Sequence, residues 1–139
     1  MKNRLTVPAA RENLPIVQSF INEQLDGVDR PVKTDIQIAV CVEEIFVNIA
    51  SYAYPDKTGE AVIVAELTDQ PPAVTIVFMD SGLPYDPLEK ADPDITLSVG
   101  ERPVGGLGVF MVKKLMDGVS YEYRDGFNIL RIRKLLGKQ

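Results

Sequence analysis

Histidine and tryptophan are both absent from the chain, and cysteine occurs once, at Cys41. Without imidazole there can be no histidine general base, no phosphohistidine and no histidine-bound zinc. A single cysteine excludes an intrachain disulfide. Cys41 lies between Val40 and Val42 in an apolar run, which points to a buried, unreactive thiol. No G-x-x-x-x-G-K-[ST] run is present, so the chain is not a P-loop protein. Nor does any apolar run reach the ~18 residues of a membrane span. The opening Met1-Lys2-Asn3-Arg4 is charged but leads into no signal-peptide core, and the cytoplasm is the expected compartment. Basic charge is also scarce: the formal net charge is −5. A nucleic-acid module would carry a basic patch, so no nucleic-acid partner is expected, and no membrane partner either. A polyanionic ligand would need backbone N–H groups and a divalent cation to hold it against that field.

What remains is enough for one core. The 139 residues are 45% hydrophobic and 25% charged, the profile of one globular domain spanning 1–139. Arg4–Val7 reads as a strand ended by Pro8. Ala10, Leu14, Val17, Ile21 and Leu25 follow at helical spacing. A second helix follows Pro31, either capped by Asp29 or opened by a Thr34-x-x-Gln37 capping box. It is apolar nearly all round from Ile36 to Ala50 and should be central. Glu60–Thr68 and Val74–Met79 read as strands joined by a turn at Asp69–Pro72. Leu107–Met116 reads as a helix, and Tyr121–Arg124 with Phe127–Arg133 as a hairpin turned at Asp125-Gly126. Between them, 83–104 holds Pro84, Pro87, Pro93 and Pro103. A loop that long in a compact domain suggests a lid, with a short helical turn around Pro87–Ala91. The order predicts an α+β fold, a two-layer sandwich with helices on one face of a mostly antiparallel mixed sheet.

Three short segments carry chemistry. On the second helix, Glu44 and Asn48 are four apart and share a face, with Gln37 and Ser51 near the same stripe. The stripe is either a solvated helix face or the wall of a wet pocket. In a pocket, the carboxylate would accept a proton or orient water and the amide oxygen would ligate a hard cation. Asp80 ends an apolar strand and enters Ser81-Gly82-Leu83-Pro84-Tyr85-Asp86-Pro87. This is either an ordinary turn or an acceptor for a purine amino group. Gly105, Gly106 and Gly108 surround the start of the third helix. They serve as a hinge or as a place where backbone N–H groups approach phosphates at a helix N-terminus. Lys113 and Lys114 read as solvated, and Arg102 is the better cation for phosphate.

In this order, E-x-x-x-N on a helix, D-x-G after a strand, a lid and G-x-G opening a helix resemble the N, G1 and G2 boxes of the Bergerat-type ATP-binding fold. The runs Asn48-Ile49-Ala50-Ser51-Tyr52-Ala53-Tyr54, Asp80–Pro87, Gly106–Asp117 and Asn128–Lys134 resemble one branch of it. That branch is the anti-sigma-factor serine/threonine protein kinases of bacterial partner switching. The resemblance covers nearly the whole chain. It implies Glu44 as general base, Asn48 as Mg2+ ligand and Asp80 as the acceptor of the adenine amino group. Gly82 would let the backbone pass the base, and Gly106, Leu107 and Gly108 would cradle phosphate. Pro84, Arg102, Gly105 and Val109 complete the expected ATP-binding set. The implied partners are an antagonist protein as substrate, a sigma factor and a second copy of the chain in a homodimer. Three positions depart from the branch: Pro84 replaces a glycine, Tyr52 a histidine, and Val104 the arginine before the last box. Two activities are therefore expected to compete: phosphorylation of the antagonist, or nucleotide-responsive sequestration without transfer.

Overall fold

A computed structural model describes residues 2–89 and 106–137. The elements run β1 (Lys2–Pro8), a 3-10 turn (Arg11–Asn13), α1 (Leu14–Leu25), α2 (Val32–Tyr52), β2 (Glu60–Asp69) and β3 (Pro72–Asp80). A second 3-10 turn (Pro87–Glu89), α3 (Gly106–Leu115), β4 (Gly118–Arg124) and β5 (Phe127–Leu135) follow. The 3-10 turn meets the helical turn expected near Pro87. Most of the expected lid, with Arg102, Val104 and Gly105, lies outside the described residues.

The strands form a single five-stranded sheet in the order β1-β2-β3-β5-β4. Every hydrogen-bonded neighbour is antiparallel, which corrects the expectation of a mixed sheet. The cause is β5. It inserts between β3 and β4, so those two strands point the same way without touching. The hairpin turns at Asp125 (φ 55°) and Gly126 (φ 86°), the paired positive φ angles of a tight turn matched to strand twist.

The start of α2 differs from both expected caps. Pro31 takes the N-cap position and no side chain caps the helix. Thr34 is buried and does not cap the helix. Arg30 does the joining work instead. It donates to the carbonyls of Leu25 (2.5 Å) and Val28 (2.6 Å) and pairs with Asp35 at 2.5 Å, tying the end of α1 to the first turn of α2.

Helices and sheet share one core. Phe46, Val42 and Cys41 of α2 pack with Ile21 and Val17 of α1, Ile63 of β2, and Ile76 and Phe78 of β3. Strand alternation puts Ile76, Phe78 and Asp80 on one face of β3, and Asn128, Leu130 and Ile132 on one face of β5. Asp80 faces Asn128 in register. Two polar residues thus continue the rows that the core begins, and a cleft opens there.

Candidate nucleotide site

The cleft lies between the C-terminal half of α2, the ends of β3 and β5, β4 and the first half of α3. It holds about 720 Å³ of space, its open mouth included. Its floor is apolar, supplied by Ile45, Phe78, Val112 and Leu130, and its polar groups are few: Glu44, Asn48, Asp80, Tyr121 and Asn128 among them.

Asp80 is 6% exposed, which would be costly for a carboxylate without partners. Its Oδ1 accepts hydrogen bonds from the Gly82 N–H (3.0 Å) and from Asn128 Nδ2 (2.9 Å). Burial raises its pKa above the ordinary aspartate value, against the lowering effect of those two donors. Gly82 has a packing reason within the fold as well. A Cβ there would sit 2.2 Å from the Ala53 carbonyl oxygen at the end of α2, and the adjacent Leu83 N–H donates to that oxygen at 2.9 Å. Tyr54 secures the same corner: its hydroxyl donates to the Glu60 carbonyl (2.7 Å) and accepts from the Ser81 N–H (2.9 Å).

On α2, Asn48 Nδ2 donates to Glu44 Oε1 at 3.2 Å. Both residues are half-buried and line the cleft, so this part of the stripe is a pocket wall and not a solvated face. The stripe divides, however. Ser51 is engaged by Arg11 (2.9 Å), and neither Ser51 nor Gln37 lines the cleft. Gly108 of α3 lies directly against Glu44, and a Cβ there would stand 1.9 Å from Oε1. Glycine at this position gives the carboxylate its room.

Of the other expected residues, Val109 lines the cleft and Pro84 is exposed beside it without lining it. Gly106 and Leu107 form the first turn of α3. Lys113 and Lys114 are exposed, with Lys114 Nζ 5.3 Å from the Phe110 ring centre. Among the described residues no three His, Cys, Asp or Glu side chains gather to hold a metal. Asn48 offers a single amide oxygen, with its nitrogen turned to Glu44. That fits Mg2+, which keeps several waters and takes one or two protein ligands together with substrate phosphates.

Sequence reasoning missed Asn128 and Tyr121, which line the cleft. Asn128 was visible as a polar residue in phase with Leu130 and Ile132, but only the register places it opposite Asp80.

The family model described as "Histidine kinase-like ATPase domain" matches residues 7–134. A Bordetella bronchiseptica protein named serine/threonine-protein kinase BtrW is 28% identical over 95 residues, which are 68% of this chain and 66% of that protein. The chain thus spans just under two thirds of that relative's length. A Bacillus thuringiensis protein named serine-protein kinase RsbW is 24% identical over 142 residues, covering 99% of this chain and 88% of that one. Among solved structures, one of the RsbU and RsbW domains of a Mycobacterium tuberculosis protein superimposes with a TM-score of 0.71 at 15% identity. It covers 100% of this chain and 33% of that one. The histidine kinase domain of an Erythrobacter litoralis blue-light activated kinase gives 0.58 at 19% identity, covering 94% and 62%. At those identities the two structures speak for the fold.

Proposed function

The chain belongs to the histidine kinase-like ATPase domain family, and from that premise we propose that it is an ATP-dependent protein serine kinase. Its substrate would be an antagonist protein, and its other partner a sigma factor that it sequesters, as a homodimer. The observation that carries the reading is the pair of polar ends in one apolar cleft, Asp80 at the sheet and Glu44 with Asn48 on α2. Asp80 accepts the adenine amino group, and the apolar floor takes the ring faces. Asn48 supplies an oxygen to Mg2+, which neutralises phosphate charge when bound. The first turn of α3 presents N–H groups to the phosphates.

Glu44 then accepts the proton of a substrate serine hydroxyl. The serine oxygen bonds to the γ-phosphorus as the bond from that phosphorus to the β,γ-bridging oxygen breaks, and ADP leaves with the electron pair. Incubation with labelled ATP, Mg2+ and an antagonist encoded beside this gene should label a serine. Glu44→Gln should abolish the label and keep ATP binding. Val104 in place of the expected arginine favours a second reading, sequestration that responds to nucleotide without transfer. In that case partner affinity changes with ATP or ADP while no serine is labelled.

A further inference from the structure

Asn128 is 7% exposed and uses its whole amide at one end of the cleft. Nδ2 donates to Asp80 Oδ1 (2.9 Å) and to the Leu83 carbonyl (2.9 Å). Oδ1 accepts from the Tyr85 N–H (3.1 Å) and from the Tyr121 hydroxyl. A carboxamide has two N–H donors and one oxygen with two lone pairs, so this group is saturated. Turning it over would reverse all four bonds. The bonds reach the end of β3, the chain leaving it and β4. Among the described residues, both hydrogen bonds received by the Asp80 carboxylate fall on Oδ1.

We infer that Asn128 is the positioning residue of the base subsite: it holds Asp80 as an ionised acceptor whose Oδ2 is left for the ligand, and so sets the preference for a base bearing an exocyclic amine over one bearing a carbonyl at that place. The inference rests on the reading that a purine nucleotide occupies the cleft. A buried carboxyl that gains a proton becomes a donor, and a donor there accepts the carbonyl of guanine as readily as an acceptor takes the amine of adenine. Burial pushes Asp80 toward that protonated form, while Asn128 and the Gly82 N–H oppose it. The other titratable groups nearby are Tyr121 on β4 and Asp86 before the 3-10 turn, with Glu44 on the α2 wall. None of them donates to Asp80 in the described residues. The same amide holds Leu83 and Tyr85, so the orientation of the carboxylate is tied to the path of the chain beyond β3.

Asn128→Asp tests this in the full chain, because it keeps the shape and replaces the donor by a second carboxylate. Two carboxylates in contact share one proton at low pH and repel at high pH. Calorimetry with ATP and with GTP should find ATP affinity in the variant about tenfold weaker at about pH 6, where Asp80 holds the proton, than at about pH 8.5, and wild type changing less than about threefold. The variant's preference for ATP over GTP should also fall. A folded variant that binds ATP like wild type overturns the inference, as does one that loses ATP equally at every pH. Should Asn128→Asp not fold, Tyr121→Phe removes one bond to the amide oxygen and leaves the charge unchanged. It should reduce the ATP-over-GTP preference about threefold with unaltered melting, and an unchanged preference overturns the inference. Failure of wild type to bind ATP would instead refute the proposed function. The Asp80 titration, followed by carbon NMR without nucleotide, then decides separately: it must move up in Asn128→Asp, and an unmoved titration overturns the positioning role.

Discussion

Gly108→Ala puts a methyl group where the Glu44 carboxylate now lies. The added Cβ would stand 1.9 Å from Oε1, 2.1 Å from Cδ and 2.7 Å from Oε2, where ordinary contact begins at 3.4 Å. The gap between 1.9 Å and 3.4 Å, about 1.5 Å, is how far the carboxylate must withdraw. The backbone at Gly108 has no positive φ, so alanine itself fits the helix. Alanine gains up to about 1 kcal/mol over glycine in a helix interior, and less here in the first turn. Loss of the Asn48–Glu44 hydrogen bond costs about 0.5–1.5 kcal/mol. The two terms nearly cancel, so the melting temperature should move by only a few degrees. Catalysis has no such compensation, because a misplacement of about 1 Å in a reacting group can cost about 10²-fold. Single-turnover transfer from labelled ATP should therefore fall about 10²-fold, with ATP affinity changed less than about threefold. Adding Glu44→Gln should bring little further loss, since both changes remove the same group. Full transfer by a folded Gly108→Ala protein would refute both the placement of Glu44 and its role as base.

Asp80→Asn should weaken ATP binding by about 10- to 100-fold, the worth of a hydrogen bond to a charged group. It should also flatten a pH dependence. Because folding raises the Asp80 pKa, the native chain binds more protons just above the ordinary aspartate value, and wild-type stability falls there as pH rises. Denaturant titrations of both proteins across that window should show a shallower fall in the variant. Cys41 is fully buried and its thiol is pushed up to about 11, mainly by desolvation. Iodoacetamide should label the native chain only as fast as it opens, and rapid stoichiometric labelling would contradict its burial. Lys134 donates to the Leu115 carbonyl at the end of α3 (3.0 Å) and lies 3.8 Å from Asp117 Oδ2. Lys134→Met should cost about 1–3 kcal/mol and lower the melting temperature by several degrees. An unchanged melting temperature would show that this tie between β5 and α3 contributes nothing.

Local pattern was enough for much of this protein. The helical spacing of Val17, Ile21 and Leu25 and the alternation of Ile76, Phe78 and Asp80 are properties of a few consecutive residues. So is the positive-φ demand met by Asp125-Gly126, which is why those elements were legible. Glu44 and Asn48 were legible as neighbours for the same reason, since a helix brings i and i+4 together whatever surrounds it. That Glu44 faces a cleft while Ser51 turns to Arg11 was not legible, because it depends on how α3 and the 3-10 turn pack against α2. The junction between α1 and α2 escaped as well: the long-armed Arg30 reaches back to the carbonyls of Leu25 and Val28, and no short-range cap rule contains it. Tertiary structure alone made Gly82 a packing glycine under Ala53 and Gly108 a space for Glu44, since close approach is a relation between distant segments. It alone set Asn128 against Asp80, 48 residues away, because strand register is decided by the whole sheet and not by either strand. The sequence by itself determined which chemical groups the chain carries and which elements bear them. The fold decided which of those groups meet.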